Sequence, residues 1–257
     1  MTRADLLLVE LGLAPSRTSA QNLIAAGRVS IQQAGHWLPL TKPSQKLAAD
    51  LSQIAVAPDP SDRYVSRGGL KMAGALERAQ FAVQGLAVLD VGQSTGGFTD
   101  CVLQAGARAV IGVDVGHDQL AERLRTDPRV RYFEGVNARA LEREPLLAAN
   151  QGESFDLVIC DVSFISLTLI LPSALALLRP GGHLLSLVKP QFEVGREGLG
   201  KGGIVKNESL YQGVRAKIED CVLLQHMTLL SWFDSPIAGG DGNREFFVFA
   251  RRDQTPI

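Results

Sequence analysis

Short apolar runs alternate with segments of helical periodicity along most of the chain, and this alternation predicts the fold class. From about residue 64 the strand-like runs are LAVLDV, AVIGVD, FDLVICDV and HLLSLVK, each separated from a helical segment by Gly or Asp. Such alternation is typical of βαβ units around a parallel sheet. Two more β-rich runs, MTLLSWF and REFFVFARR, follow without a full helix between them. We therefore expect an α/β domain whose mostly parallel sheet has an antiparallel end.

The first 60 residues follow a different pattern and predict a small α+β unit. The segments LLLVELGL and SAQNLIAAG are apolar-rich and carry start and stop signals, so each predicts a short helix. The β-like pieces RVSI and QIAV follow, and APDPSDR has the composition of a linker. We expect a domain over residues 1–60, a linker with the start of the next helix over 61–75, and the α/β domain over 76–257.

Composition and charge exclude several classes of protein. With 46% hydrophobic residues the chain can bury a core, so it is neither disordered nor fibrous. With a net charge of −1, the protein as a whole does not attract polyanions electrostatically, so any nucleic acid must bind a local basic patch. The cysteines, Cys101, Cys160 and Cys221, are scattered and odd in number. They predict neither disulfides nor a metal site and favour a reduced, cytoplasmic setting.

Neither the start of the chain nor its longest apolar stretch predicts a membrane segment. Asp5 and Glu10 interrupt the apolar start, and no small-residue cleavage site follows it. Residues 164–178 have the length of a buried helix rather than of a span, and they contain Pro172. We expect a buried helix there and no membrane crossing.

The sharpest local signal is the run LAVLDVGQSTGGFTD. A buried strand leads into Asp90, then come Gly92, Gly96 and Gly97, and a helix begins near Phe98. Glycines at a strand-to-helix turn let the backbone approach a ligand at the carboxyl edge of a sheet. The loop reads G-x-x-x-G-G rather than the G-x-G-x-x-G of NAD enzymes, and the acid before it suits a cationic ligand such as S-adenosylmethionine. A structural glycine turn is the plain alternative.

Two further residues are placed to hold an adenosine. Asp114 ends the next strand, 22 residues beyond Gly92, where an acid can bind both hydroxyls of a ribose. Asn137 follows the strand-like piece RYFEGVNAR, where the adenine could be held. An ordinary loop asparagine is the alternative for Asn137.

Four charged residues are candidates for chemistry. Asp161 and Lys189 each close a buried strand, which puts them at the sheet edge where a ligand sits. Lys71 lies on the amphipathic helix that comes just before LAVLDV, the first strand of the α/β domain. Glu245 begins the last strand. They form one site only if the fold gathers them, and the alternative for each lysine is an ordinary surface position.

Several motifs in order resemble one family of RNA-modifying enzymes. LDVGQSTGGFTD, DVSFISL, LVKPQFE and GNREFF are similar to those of the FtsJ-type ribose 2′-O-methyltransferases and, within them, of the hemolysin A-like (TlyA) ribosomal RNA methyltransferases. LLLVELGLAPSRTSAQNLIAAGRVSI resembles the S4 RNA-binding domain that this family carries, and YVSRGGLK resembles its interdomain junction. The resemblance covers nearly the whole chain. It implies a Rossmann-like domain with a mostly parallel seven-stranded sheet, preceded by a small S4-like domain.

The resemblance also implies a cofactor, a substrate and site residues. The cofactor is S-adenosylmethionine, and the substrate is ribosomal RNA within ribosomal subunits, modified at a cytidine ribose. The catalytic Lys-Asp-Lys-Glu tetrad falls on Lys71, Asp161, Lys189 and Glu245. The cofactor-binding positions are Asp90, Gly92, Gly96, Gly97, Phe98, Asp114, Asn137 and Asp161. Thr95 stands where many FtsJ-type loops have proline, which removes no functional group.

The N-terminal unit offers three candidate RNA contacts. Arg17 and Arg28 lie at the two ends of its second predicted helix, and Arg3 lies near the start of the chain. Arginine side chains at such positions can bind phosphates.

The tetrad suggests a division of roles in methyl transfer to a ribose hydroxyl. Lys189 is the candidate base, since a nearby cation, Lys71, and partial burial would favour its neutral amine. Asp161 would orient Lys189 and attract the positive end of the cofactor. Glu245 would fix Lys71 or the incoming ribose.

Other activities fit the sequence less well. Methylation of the adenine amino group uses a proline-containing motif that DVSF lacks, and cytosine C5 chemistry needs an activated thiol, whereas Cys160 lies inside an apolar run. A non-catalytic RNA-binding or ribosome-assembly protein would keep the S4-like unit without needing the tetrad. A membrane-active hemolysin would need an amphipathic or spanning segment. A dehydrogenase is the remaining enzyme alternative.

Overall fold

A computed structural model of the chain describes residues 1–48, 50, 53–239 and 242–254. The chain divides into two compact units, Met1–Asp62 and Arg63–Ile257, and the division falls inside the segment APDPSDR. Each unit has its own cluster of buried apolar side chains.

The N-terminal unit packs two short helices against small antiparallel sheets. Ser16 caps the second helix by accepting a hydrogen bond from the Ser19 backbone N–H, as its position in the sequence predicts. Strand β2 lies between β3 and β5, and β1 pairs with β4. The elements are α1 (Ala4–Glu10), α2 (Arg17–Ala25), β1 (Thr2–Arg3), β2 (Val29–Gln33), β3 (His36–Pro39), β4 (Lys46–Leu47) and β5 (Ile54–Val56).

Strand β3 has no counterpart in the hydrophobic pattern, because all four of its residues are exposed. It forms because Ala34 and Gly35 both have positive φ, at 50° and 83°, between the paired residues Gln33 and His36. Two such residues make the tight turn that matches the twist of a hairpin.

The larger unit is built on a mostly parallel sheet, as the alternating pattern predicts. Within the described residues it has seven strands in the order β11-β12-β10-β9-β6-β7-β8. Strand β12 runs opposite to the other six, so its pairings with β10 and β11 are antiparallel and the remaining pairings are parallel. The strands are β6 (Ala87–Val91), β7 (Ala109–Val113), β8 (Val130–Phe133), β9 (Phe155–Cys160), β10 (Leu178–Val188), β11 (Met227–Asp234) and β12 (Phe246–Arg252).

Helices cover both faces of this sheet and enclose two apolar layers. Met72 of α3 and Phe98 of α4 pack in one layer, while Leu146 of α6 and Ile218 of α8 pack in the other. The helices are α3 (Gly68–Ala79), α4 (Gly97–Gln104), α5 (Glu122–Arg125), α6 (Arg143–Ala149), α7 (Leu171–Leu175) and α8 (Leu210–Leu224). The α/β prediction is thus confirmed.

The expected helix over residues 164–178 is wrong. This stretch contains a 3₁₀ turn (Leu167–Leu169) and the short α7, and β10 already begins at Leu178. Pro172 lies in the first turn of α7. A proline is accepted there but cannot continue a helix from the preceding turn, because it lacks an N–H and its ring clashes with the chain before it.

The strand order fixes where a ligand can bind. From β6 the chain proceeds to β7 and β8 on one side, and from β9 to β10 on the other. In sheets of this kind ligands bind outside the carboxyl ends of the strands at such a switch point. Among the helices of the described ranges, none combines the length and the apolar character needed to cross a bilayer.

Candidate active site

The glycine turn after β6 brings two strand ends into close contact. Gly92 has φ of +83°, and a Cβ atom there would lie 2.6 Å from the backbone oxygen of Asp161. Gly96 has φ of +91° and faces the side chains of Leu120 and Leu124. Any larger residue at Gly92 would therefore push apart the carboxyl ends of β6 and β9.

Asp90 lies beneath this turn and is fully buried. Its Oδ2 accepts a hydrogen bond of 2.6 Å from Thr99 Oγ1, whereas its Oδ1 has no hydrogen-bond partner among the described residues. Burial raises the pKa of the Asp90 carboxyl to about 7, and the charge of Asp161 acts in the same direction. A cation bound above the turn would stabilise the carboxylate, so this residue fits the positive charge of S-adenosylmethionine.

Asp114 holds the glycine turn and also lines a cavity. Its Oδ2 accepts a hydrogen bond of 2.8 Å from the Ser94 N–H, and its Oδ1 accepts one of 2.7 Å from the Gly116 N–H. Each carboxylate oxygen keeps a further acceptor site, so binding two ribose hydroxyls is compatible with these contacts. Asn137 lines the same cavity, and its Oδ1 accepts a bond of 3.1 Å from the Arg139 N–H.

This first cavity, of about 460 Å³, has the character of an adenosine site. Its polar groups are few and its walls are mostly apolar, which is typical of pockets that bind a flat base. The apolar walls are formed by Val113, Val115, Val136, Val162, Phe164, Ile165 and Ile170.

Two more cavities meet the first near the ends of β9 and β10. One, of about 270 Å³, extends over the glycine turn past Phe98 to Lys71 and Lys189. The other, of about 510 Å³, opens on the far side of the same two lysines. Ser163 lines all three cavities. The first two together can hold the two ends of the cofactor, and the third leaves room for a substrate.

The fold gathers the four charged residues of the tetrad at this junction. Lys189 Nζ lies 2.6 Å from Asp161 Oδ1, and Lys71 Nζ lies 2.5 Å from Glu245 Oε2. Lys71 and Glu245 are 174 residues apart in sequence, and they meet because α3 passes the start of β12. Lys189 also donates a hydrogen bond of 2.8 Å to Ser163 Oγ.

The two ion pairs give the junction no net charge but a strong local field. Burial raises the pKa of the Glu245 carboxyl, and the hydrogen bond from Lys71 opposes that rise. Only 3% of the Glu245 side chain is exposed, so the Lys71 ammonium is what compensates for burying its charge. Asp161 is the most open of the four, with 23% of its side chain exposed, and both lysines line the cavity over the glycine turn and the open cavity.

Cys160 precedes Asp161 but does not take part in this chemistry. Its thiol is fully buried, and burial raises its pKa to about 12. The side chain therefore stays protonated at neutral pH and supplies no thiolate.

The candidate RNA contacts are arranged in two sets. Arg3 and Arg17 converge on Asp5, whose Oδ2 lies 3.0 Å from a guanidinium nitrogen of each, and Gln21 Nε2 donates a further bond of 2.9 Å. Arg28 instead pairs with Asp62 and donates to the backbone oxygen of residue 57. Arg3 and Arg17 thus form one basic group, and Arg28 belongs to another.

Sequence reasoning did not select Ser163 and Asn243, which contact the site, or Glu193, which binds Ser166 and Leu167. Ser163 binds Lys189. The buried side chain of Asn243 binds the backbone of Gly203 and Val205, in the segment that borders the third cavity. The motifs DVSF, KPQFE and GNREFF contain these residues, but polar residues beside a charged candidate carry no signal of their own in a single sequence.

The fold and the junction define a class, the Rossmann-like methyltransferases that use S-adenosylmethionine. The model of the FtsJ-like methyltransferase family matches residues 64–252. The chain belongs to the FtsJ-like methyltransferase family, and S-adenosylmethionine is its cofactor.

Relatives with a similar length support this assignment. YqxC of Bacillus subtilis is 43% identical over 96% of this chain and 84% of its own. TlyA of Mycobacterium tuberculosis, a 16S/23S rRNA (cytidine-2′-O)-methyltransferase, is 41% identical over 97% of this chain and 89% of its own. A structure from Streptococcus thermophilus that is named as a hemolysin has a TM-score of 0.75 and 38% identity, covering 99% of this chain and 89% of that one.

A more distant structure shares the fold alone. An S-adenosylmethionine-dependent methyltransferase from Mesorhizobium loti has a TM-score of 0.50 at 17% identity, and it covers 70% of this chain and 96% of that one. The shared part corresponds in extent to the larger unit and supports the Rossmann-like description of its sheet.

Proposed function

We propose that this protein methylates a ribose 2′-hydroxyl of ribosomal RNA, with a cytidine as the target nucleotide. The observation that carries the proposal is the junction itself. Two lysine–carboxylate pairs lie where an adenosine-type cavity meets a second, open cavity. The relative from Mycobacterium tuberculosis is a 16S/23S rRNA (cytidine-2′-O)-methyltransferase, which supports the choice of rRNA and cytidine. Such a substrate places the protein in the cytoplasm.

In this proposal the chain's own residues activate and orient the hydroxyl. Bound S-adenosylmethionine supplies a methyl group on a positively charged sulfur. Lys189, as the neutral amine, accepts the proton of the 2′-hydroxyl and becomes an ammonium. Asp161, 2.6 Å away, then stabilises that ammonium. The scheme requires that the amine facing Asp161 has given a proton to solvent before the hydroxyl is bound.

Lys71 and Glu245 have a positioning role in this scheme. Their short contact holds the Lys71 ammonium beside the open cavity, where it can bind an oxygen of the incoming ribose. Asp114 and Asn137 hold the adenosine end of the cofactor, and Asp90 acts through its charge beneath the turn. Orientation of this kind supplies much of the rate in a transfer between two bound partners.

Substitution of Lys189 tests the proposal. We expect Lys189→Ala to bind S-adenosylmethionine normally yet to transfer no methyl group to ribosomal subunits, because the amine that takes the proton is removed. Transfer is measured with labelled cofactor and mapped by nuclease digestion, and cofactor binding by calorimetry.

Lys189→Arg is the matched variant for this test. It keeps a cation beside Asp161, but a guanidinium does not act as a base near neutral pH. We expect it to be as inactive as Lys189→Ala. Methyl transfer by either variant at the wild-type rate would remove Lys189 from the base role, and mapping of the label to a nucleobase would overturn ribose methylation.

A further inference from the structure

The carboxylate of Glu193 is buried, and both of its oxygens are bound. Only 2% of the side chain is exposed. Oε2 lies 2.6 Å from Ser166 Oγ and 2.7 Å from Lys217 Nζ, and Oε1 accepts a hydrogen bond of 2.6 Å from the Leu167 N–H. A carboxylate buried in this way is costly unless its partners are well placed, and an apolar side chain would fill the same space more cheaply. Its contacts therefore indicate a role in fixing geometry.

The segment that Glu193 binds separates the two functional cavities. Ser163 and Phe164 line both the adenosine-type cavity and the open cavity. Phe164 has φ of +65°, a conformation that a bulky side chain rarely adopts, and 91% of it is exposed. Its ring contacts that of Phe192, with the centroids 5.2 Å apart, but this contact leaves the side chain largely exposed. Strained backbone of this kind persists only where neighbouring contacts fix it, and the bonds from Ser166 and Leu167 to Glu193 come directly afterwards.

The same segment reaches Lys189. Ser163 Oγ accepts a hydrogen bond from Lys189 Nζ, and Lys189 lies on the same stretch of chain as Glu193, just after β10. Three sets of contacts therefore join the stretch after β10 to the stretch after β9: Lys189 with Asp161 and Ser163, Phe192 with Phe164, and Glu193 with Ser166 and Leu167. Among these, the bond from the Leu167 N–H to Glu193 fixes the backbone of the segment.

We propose that Glu193 is a positioning residue, which fixes residues 163–167 between the cofactor and substrate cavities and thereby sets the place of the Lys189 amine. The inference rests on the proposed function, because it assigns the purpose of that placement to methyl transfer. It adds that the rate depends on a carboxylate that touches neither cofactor nor substrate.

Glu193→Gln is the first test, because it keeps the shape and removes the charge. We expect kcat for methylation of ribosomal subunits to fall by about 10- to 100-fold, the range that a displacement of about 1 Å produces. The dissociation constant for S-adenosylmethionine should change by less than about threefold, because Gly92, Asp114 and Asn137 bind the cofactor from other segments. The pH profile of kcat should also shift, since the surroundings of the base change.

Lys217→Met is the matched control. It removes the ammonium, and with it the contact to Glu193 Oε2 and a hydrogen bond of 3.1 Å to Ser166 Oγ, but leaves the bonds from Ser166 and Leu167 to the carboxylate in place. Both variants should lower the melting temperature, whereas only Glu193→Gln should lower kcat. If Glu193→Gln does not fold, Ser166→Ala, which removes one of the two bonds to residues 163–167, should lower kcat by about three- to tenfold.

Hydrogen exchange at the Leu167 amide separates this inference from the proposed function. Exchange should be faster in Glu193→Gln than in wild type, whatever the substrate. Suppose that wild type leaves ribosomal RNA unmodified but that the Leu167 amide still exchanges faster in Glu193→Gln. The proposed function would then be overturned, whereas the role of Glu193 in fixing residues 163–167 would stand. Wild-type kcat in Glu193→Gln, or an equal loss in Lys217→Met, would overturn the positioning role.

Discussion

At the scale of single residues, the site works with charges that have been removed from water. Asp90 is the clearest case, because its carboxylate is fully buried and has one oxygen without a hydrogen-bond partner among the described residues. Its charged form is costly in the protein alone. A bound cation changes that balance, so the residue should couple cofactor binding to pH.

The pH dependence of cofactor binding tests this coupling. With a pKa raised to about 7, Asp90 holds a proton in the folded protein between about pH 4 and pH 7, where the unfolded chain has lost it. Its contribution to stability is therefore present at low pH and is lost as the pH rises through 7. Cofactor binding favours the carboxylate, so affinity should increase up to about tenfold from pH 6 to pH 8.

Calorimetry at these pH values measures the effect. Asp90→Asn keeps the side-chain size and removes the titration, so it reports the dependence that comes from the cofactor's own amino group. An equally steep dependence in Asp90→Asn and in wild type would contradict the role of Asp90.

The sequence indicated some of these residues and not others for a physical reason. Asp161 and Lys189 stand at the ends of strands that are otherwise apolar, so their charges stand out. Ser163 and Glu193 lie in polar turns, where a functional side chain and an ordinary one look alike. Their importance appears only through contacts between segments that are distant along the chain.

At the scale of elements, we expect the site to be most sensitive to substitution in the glycine turn after β6. It combines a positive φ with a close approach to the backbone of Asp161, whereas Gly85 has a positive φ of 76° with open space around it. Substitution of Gly85 therefore reports the cost of the positive φ alone, whereas substitution of Gly92 adds the clash with the backbone of Asp161.

We expect Gly92→Ala to lower cofactor affinity at least tenfold, because its methyl group would force apart the ends of β6 and β9. Gly85→Ala should cost about 1 kcal/mol of stability from the positive φ alone and leave the affinity unchanged. Calorimetric titration and thermal unfolding measure the two quantities. Wild-type affinity in Gly92→Ala would show that the turn tolerates a side chain.

Element by element, prediction succeeded where a strand is buried on both faces. β6, β7 and β9 are nearly continuous apolar runs, and each is a strand. The stretch 164–178 has the length of a buried helix, but it is apolar for two separate reasons. Part of it packs as the 3₁₀ turn and α7, and its end is already the start of β10.

At the scale of the whole molecule, we propose that the N-terminal unit recognises RNA and that the larger unit carries the chemistry. The tetrad contains two cations and two anions, so it gives little electrostatic attraction for RNA. Arg3 and Arg17 share the carboxylate of Asp5, which leaves one excess positive charge in this cluster. The guanidinium groups hold the pKa of the Asp5 carboxyl well below its usual range, so this arrangement persists at acidic pH.

Arg17→Ala tests the assignment of RNA binding to this unit. We expect weaker binding to ribosomal subunits and a dependence of log affinity on log salt that is shallower by about one. Arg215→Ala, which removes a similarly exposed guanidinium in the larger unit, is the control. Cofactor affinity should be unchanged in both. An unaltered salt dependence in Arg17→Ala would contradict the assignment.

The placement of β12 has a consequence for when the protein first becomes active. This strand inserts between β10 and β11, and Glu245 immediately precedes it. During synthesis, Lys71, Asp161 and Lys189 have all emerged before Glu245 does. A nascent chain in which all the other strands have emerged still lacks the partner of Lys71, so under the roles proposed for Lys71 and Glu245 methyl transfer begins only after β12 has taken its place.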